Sequence, residues 1–320
     1  MQDVLFITDA FNVLDYAVDT SCFLMVTAQE LNYNVYSCQT NDMFIQDNEV
    51  YFRVHKTHLL YSSSDLIIKN NWYSKDNSIL KVGKEFSAII VRKDPPFDID
   101  YYYMTQILQF AEDRGAVVHN NSFSLRNYNE KLSILNFPDC VTPSIVSKNK
   151  HELIQFLEFH HDCIIKPLNL MGGRGIFKLS LNDINSSAIL STVTNNYTQV
   201  VMVQKFIPEI ASGDKRIIII DGEVINICWH RPPKLSNIST YKTALNKYYV
   251  SELTNNDMNV SKKVAAWLRE HKIIFAGIDI IGNYLTEINI TSPSGLKDIN
   301  DLTQVNIAKL FYSKIFNHDV

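Results

Sequence analysis

In the second half of the chain, apolar runs come in pairs joined by very short turns. "RIIIID" and "VINICWH" meet at "DGE", "CIIKPL" precedes "GIFKLS", and "GIDIIGNYLTEINI" turns at Gly282 and Asn283. Strands linked this tightly pair antiparallel, because a parallel crossover needs a dozen or more residues. The chain is therefore neither all-helical nor a purely parallel α/β fold. Its first part reads differently. "VLFIT" leads to a helix-like run from Asp19 to Asn32, with Asp19, Thr20 or Ser21 available as N-cap. "FSAIIVRK" is stopped by Pro95 and Pro96, "YYYMTQILQFAEDRG" is an amphipathic helix ended by Gly115, and "AVVHN" is another strand. This alternation predicts a mainly parallel α/β N-terminal domain over residues 1–123. An α+β unit of two subdomains, 124–205 and 206–320, is expected to follow. Helices near "NEKLSILNF", "KHELIQFLEFHH", "NVSKKVAAWLREH" and "TQVNIAKLFYSKIF" are expected around its sheets.

Composition narrows the function classes. With 46% hydrophobic residues in 320, two or three core-bearing modules are possible. A net charge of −4 without a long basic run argues against a nucleic-acid binder. The five cysteines are scattered and odd in number, which fits reduced thiols better than disulfides or zinc. "VLFITD" follows the N-terminus with no basic region before it, and no apolar run is long enough to span a bilayer. A cytoplasmic protein without membrane contact is expected.

"GIDIIGNYLTEINI" places Asp279, Glu287 and Asn289 among isoleucines, with no Lys or Arg inside the stretch. Buried acids must be paired, protonated or metal-bound. Asp279 meets Glu287 on one sheet face only if the hairpin has an odd-length turn, Gly282-Asn283-Tyr284, or a bulge; an unbulged two-residue turn inverts the register. Two carboxylates and an amide oxygen form a hard-oxygen set suited to Mg²⁺ that shares phosphate oxygens. The plain alternative is a pair of partly exposed acids at a sheet end.

Two other clusters carry charge or glycine. In "IIKPLNLMGGRGIF", Lys166 ends a strand before Gly172, Gly173 and Gly175, a pattern that serves either a phosphate cradle or an ordinary hairpin loop. In "GDKRIIII", Lys215 and Arg216 point to opposite faces of one strand, so one can address a ligand while the other does not. His55 and His58 lack a third ligand nearby and read as surface.

Taken in order, "RKDPPFD", "SLRNYNEKL", "IIKPLNLMGGRGIF", "GDKRIIIIDGE" and "AGIDIIGNYLTEINITSPSG" resemble the bacterial glutathione synthetases of the ATP-grasp superfamily, over nearly the whole chain. The resemblance implies a carboxylate–amine ligase that makes glutathione from γ-glutamylcysteine, glycine and ATP through an acyl phosphate. It places ATP between two antiparallel sheets, with Lys131, Lys166 and Lys215 among its contacts and the loop Gly172, Gly173, Gly175 closing over the phosphates. Main chain of Gln204, Lys205, Phe206 and Ile207 would meet adenine. Arg216 would be the catalytic contact to the transferring phosphoryl group. Asp279, Glu287 and Asn289 would hold a pair of Mg²⁺ ions, with Mn²⁺ as an alternative, so that metal and triphosphate rather than side-chain cations balance the acids. Arg92, Arg231, Ser292, Pro293 and Ser294 would hold the peptide substrate, and a homo-oligomer, dimer or tetramer, is expected.

The sequence departs from the family pattern mainly on the acceptor side. The stretch 232–252 has no glycine, and Ser239 and Tyr241 stand where the family has an arginine and an asparagine; Lys242 or Lys247 could restore the charge. Leu170 replaces a phosphate-loop glycine, and Gly295 replaces a bulkier substrate-loop residue. These departures leave open another peptide or amine substrate, or nucleotide binding with little catalysis.

Overall fold

The computed structural model describes residues 2–63, 71–233 and 248–317. Ser239, Tyr241, Lys242 and Lys247, on which the acceptor-loop expectation rests, lie outside the described residues. Three sheets organise the rest.

The N-terminal sheet comprises β1 (Asp3–Thr8), β2 (Asn34–Cys38), β3 (Met43–Gln46), β4 (Glu49–Leu59), β5 (Tyr73–Lys75), β6 (Ile79–Val82), β7 (Ala88–Arg92) and β8 (Val118–His119). Only β1, β2, β7 and β8 are parallel; β3 to β6 form antiparallel pairs around β4. The sheet is thus mixed, which corrects the mainly parallel expectation. Residues 43–59 double back as a hairpin, because Asp47 and Asn48 adopt positive φ at its turn. Helix α1 (Thr20–Glu30) starts at Asp19, whose carboxylate accepts from the Ser21 amide at 2.6 Å. Helix α2 (Ile99–Glu112) starts likewise at Asp98.

The second sheet has order β11–β10–β12–β9, from β9 (Ser144–Ser147), β10 (Asp162–Pro167), β11 (Phe177–Ser180) and β12 (Val201–Lys205), all antiparallel. It keeps a small core of its own around Leu153, Ile165 and Val203, to which α4 (Lys150–His160) and α5 (Ser186–Val193) contribute. The segment near "NEKLSILNF" follows the short α3 (Ser122–Asn127) and forms only a 3-10 turn over Leu132–Asn136.

The third sheet runs β15–β14–β13–β16–β17: β13 (Asp214–Ile220), β14 (Glu223–Arg231), β15 (Tyr249–Ser251), β16 (Phe275–Ile281) and β17 (Tyr284–Asn289). Helix α6 (Asn255–Glu270) packs against it, buried through Val260, Val264 and Leu268. Helices α7 (Leu296–Thr303) and α8 (Ile307–Phe316) return the chain to helix α1 of the N-terminal domain, where the Tyr312 hydroxyl donates to Leu24 O at 2.8 Å. One core thereby joins Val4, Phe6 and Leu24 to Ile218, Trp229, Phe275 and Phe311. The five cysteines are buried and free. No helix among the described residues is long and apolar enough to cross a membrane.

Candidate active site

The site grows from a single cross-strand row. Val250 on β15, Trp229 on β14, Arg216 on β13, Asp279 on β16 and Glu287 on β17 lie directly opposite one another. Directly paired residues of an antiparallel sheet share a face, so an apolar end and an acidic end are joined through one arginine. Asn289 stands two pairs further along, on the same face, opposite Gly277.

The register arises differently from the odd-length turn. Ile281 pairs with Tyr284, so the turn has only Gly282 and Asn283, and the slip is absorbed by a bulge between Asp279 and Ile280. Thr286 is the extra residue, and its hydroxyl donates to Asp279 O at 3.1 Å. The bulged alternative thus brings Asp279 opposite Glu287.

The acids are neutralised from outside their own hairpin, which corrects the expectation that only metal and triphosphate would balance them. Arg216 donates to Asp279 through Nε at 2.5 Å and Nη2 at 2.9 Å, and Arg231 Nη2 lies 2.9 Å from Asp279 Oδ2. Burial pushes the Asp279 carboxyl up, but the Arg216 and Arg231 guanidiniums outweigh it and hold the group far below the usual carboxylate range. Gly277 makes the arrangement possible: a Cβ there would lie 2.8 Å from Arg216 Cδ. Glu287 pairs with the buried Lys131 Nζ at 2.9 Å. Asn289 Nδ2 donates to Gly277 O at 3.0 Å and to Asp279 Oδ2 at 3.3 Å. Among the described residues no three His, Cys, Asp or Glu side chains form a metal cluster. Two carboxylates and one amide still suit Mg²⁺, which characteristically completes its shell with water and phosphate oxygens.

Of the residues expected to meet the nucleotide, Lys166 lies beside these acids. Partly buried Lys166 Nζ donates to Gln204 Oε1 at 2.5 Å and reaches Thr286 O at 3.4 Å. Desolvation pulls its pKa down to about 8, against the opposing attraction of Glu287. Gly172, Gly173 and Gly175 have positive φ in the loop between β10 and β11. The stem of that loop is fastened at three successive carbonyls: Leu168 O accepts from Asn129 Nδ2, Asn169 O from the Phe97 amide and Leu170 O from Lys131 Nζ. In the hinge, the amides of Lys205 and Phe206 donate to Pro143 O and Asp162 O. Any adenine contact is therefore left to other main-chain groups of the segment ending at Ile207. Lys205 itself is exposed.

Lys215 does not join this site. Its ammonium pairs with buried Asp257 in the first turn of α6, on the opposite sheet face. The expected nucleotide contact is corrected accordingly: strand alternation assigns one face each to Lys215 and Arg216, and α6 occupies the face of Lys215.

Among the residues expected to hold the peptide, Ser294 accepts from Arg216 Nη1 through its O at 3.1 Å and its Oγ at 3.3 Å. Arg231 is also clamped to Asp214. Pro293 is buried, and Ser292 hydrogen-bonds Asp94, whose carboxyl burial pushes up. Arg92 is buried at 4% exposure, donates through Nε to Ser21 Oγ at 3.0 Å and leaves Nη1 without a partner among the described residues. Sequence reasoning missed Glu130. Its Oε1 accepts from the amides of Ile290 and Thr291 and from the Thr291 hydroxyl, fixing the base of the 291–295 loop. Burial and then the neighbouring Glu287 push its carboxyl up. The signal was present in "NEK", where an acid and a lysine interrupt a run that leads into a core segment.

Comparison with known proteins gives the family and the fold. Residues 2–126 match the N-terminal domain of prokaryotic glutathione synthetase and residues 130–304 its ATP-grasp domain. The chain is 36% identical over 310 residues to the glutathione synthetase of Wigglesworthia glossinidia brevipalpis, covering 97% of this chain and 96% of the relative. It is 35% identical to that of Nitrosomonas europaea, covering 95% and 94%. Among solved structures, the D-cycloserine synthetase DcsG superposes with a TM-score of 0.67 at 10% identity, covering 98% of this chain and 99% of that one. The ATP-grasp ligase PsnB with its minimal precursor gives 0.63 at 13% identity, covering 99% of each. These two show the fold.

Proposed function

The chain belongs to the prokaryotic glutathione synthetase family, and from that premise we propose which of its residues carry out ATP-dependent ligation of γ-glutamylcysteine to glycine. Carboxylate is a poor electrophile because its leaving group is bad, so the reaction needs activation. The cysteinyl carboxylate attacks the γ-phosphorus of ATP, forming an acyl phosphate and releasing ADP. The neutral amine of glycine then attacks the acyl carbon, the C–N bond forms, phosphate leaves and a proton goes to solvent. Little covalent chemistry falls to the protein; position and charge neutralisation are its tasks.

Lys131 and Lys166 neutralise the triphosphate, and amides of the loop containing Gly172, Gly173 and Gly175 cover it. Gln204 holds the Lys166 ammonium toward the cleft, and main chain near Ile207 faces adenine. Asp279, Glu287 and Asn289 would hold a pair of Mg²⁺ ions, which supply Lewis-acid neutralisation of phosphate charge when bound; Mn²⁺ has the same hard-oxygen preference. Arg216, fixed by Asp279 through Nε and Nη2 and by Ser294 through Nη1, would present a pre-positioned positive charge to the transferring phosphoryl group. Arg92, Arg231 and Ser292–Ser294 orient the peptide. Residues 1–123 then serve the peptide side, 124–205 the lid and 206–320 the metal side. A cytoplasmic homo-oligomer, a dimer or tetramer, completes the reading.

The observation that carries this account is Lys131, whose single ammonium joins Glu287 on the metal side to Leu170 O at the base of the glycine loop. The test is mass-spectrometric detection of product with ATP, Mg²⁺, γ-glutamylcysteine and glycine. Glutathione is expected with one phosphate released per peptide bond; turnover confined to another carboxylate or amine pair would overturn the substrate assignment.

A further inference from the structure

Trp229 occupies the centre of the third sheet's active face, two strand spacings or roughly 10 Å from Asp279 along the row. It is only 6% exposed, yet its indole Nε1 has no hydrogen-bond partner among the described residues. A buried, unanswered N–H is costly and uncommon in native proteins. The ring lies against Gly295, where a Cβ would approach its Cε3 and Cζ3 atoms to 2.8 Å. Gly295 has φ +111, a conformation that favours glycine, and the indole takes the space a side chain there would need. Tyr248 also stacks on the ring, with centroids 5.4 Å apart and planes 22° from parallel.

The surroundings point to the peptide pocket rather than to packing alone. The Gly295 and Leu296 amides donate to Thr20 Oγ1, and the next residue, Ser21, accepts from Arg92. Arg92 Nη1 and Trp229 Nε1 are both buried donors without hydrogen-bond partners among the described residues; Arg92 is tied to the start of α1, and the Trp229 ring lies against the 291–295 loop that the same helix start holds. Both are chemically matched to an acceptor oxygen. We propose that Trp229 is a specificity-determining residue: its indole walls the peptide pocket in place of a residue-295 side chain and offers its N–H to a carbonyl or carboxylate oxygen of the peptide substrate. This rests on the ligase reading above.

The experiment compares the full-length protein with Trp229→Phe, which keeps an aromatic ring and removes the N–H, by steady-state kinetics with ATP, γ-glutamylcysteine and glycine. The KM for the dipeptide is expected to rise about five- to tenfold, the worth of one hydrogen bond between desolvated groups, while the KM for ATP stays within twofold. A general packing defect would move both constants or kcat. Trp229→Leu, which also opens the wall, should raise the dipeptide KM further and allow a dipeptide with a larger side chain in place of cysteine to compete better. If neither variant folds, direct titration of the intact protein with dipeptide amides, each lacking one carboxylate, is expected to show a comparable loss for one of them, and equal affinities would overturn the proposal. A dipeptide KM unchanged in Trp229→Phe sinks the inference alone. A wild-type protein that makes no glutathione sinks both the ligase reading and the inference.

Discussion

Lys215 and Arg216 are neighbours on one strand, each bound to a buried aspartate, yet the two pairs do different work. On the α6 face, Asp257 accepts from Lys215 Nζ and from the amide and hydroxyl of Thr254, so the helix start, the sheet and both charges close into one network. On the cleft face, Asp279 faces two guanidiniums and an amide donor at once, with Glu287, Lys131 and Ser294 beside it. The first arrangement is balanced, with one cation and one capping residue for one acid. On the cleft face Arg216, Arg231 and Lys131 are matched by Asp279, Asp214 and Glu287, whereas Lys166 is held by the neutral Gln204 side chain, with no carboxylate in ion-pair contact among the described residues. Burial and pairing alone do not separate structure from function; a cation held in the cleft without its own carboxylate does.

The contrast can be broken most directly at Glu287. Glu287→Gln should lower Mg²⁺-dependent turnover by on the order of 10³-fold, the scale seen when one charge-stabilising group is removed, while circular dichroism and the melting midpoint change little. Retained activity would place the metal elsewhere. Next in size is Asp257→Asn, which leaves Lys215 uncompensated and should cost about 3 kcal/mol of stability, read as a lower denaturation midpoint. Its KM for ATP should match the wild type; a raised value would return Lys215 to the nucleotide site. The smallest effect is a pH dependence. With the free Lys166 pKa near 8 and a phosphate-bound value above it, nucleotide affinity should be flat below pH 8. It should then fall by up to about tenfold per pH unit above it, because binding then requires proton uptake. Lys166→Arg should bind nucleotide without that fall, since a guanidinium keeps its proton there.

Much of this was legible because it is local. Tight turns announced the antiparallel sheets, three adjacent N-cap candidates bracketed the start of α1, of which Asp19 is the cap, and the polar positions of "GIDIIGNYLTEINI" required an irregular register, supplied by the bulge at Thr286. Alternation also showed that Lys215 and Arg216 part company, but not which faces the cleft, since that depends on where α6 packs. Asp279's cations come from residues 216 and 231, brought alongside only by sheet pairing, so they could not be read within the hairpin. Antiparallel β3 to β6 escaped notice because the parallel pattern around them dominated. Trp229 carried no motif; its interest lies in a missing Cβ 66 positions later and an N–H left unanswered.

The three tethered carbonyls at Leu168, Asn169 and Leu170 have a consequence for how a flap can move. Rotation must begin beyond the last rivet, at Met171, so the segment stilled over a nucleotide is only a few residues long. At about 1–2 kcal/mol of configurational entropy for each residue immobilised, a short tongue surrenders far less than a freely jointed one. The rivets also draw Phe97, from the segment after β7, into the base of the tongue, so a shift there is felt at once by the strand end that carries Arg92.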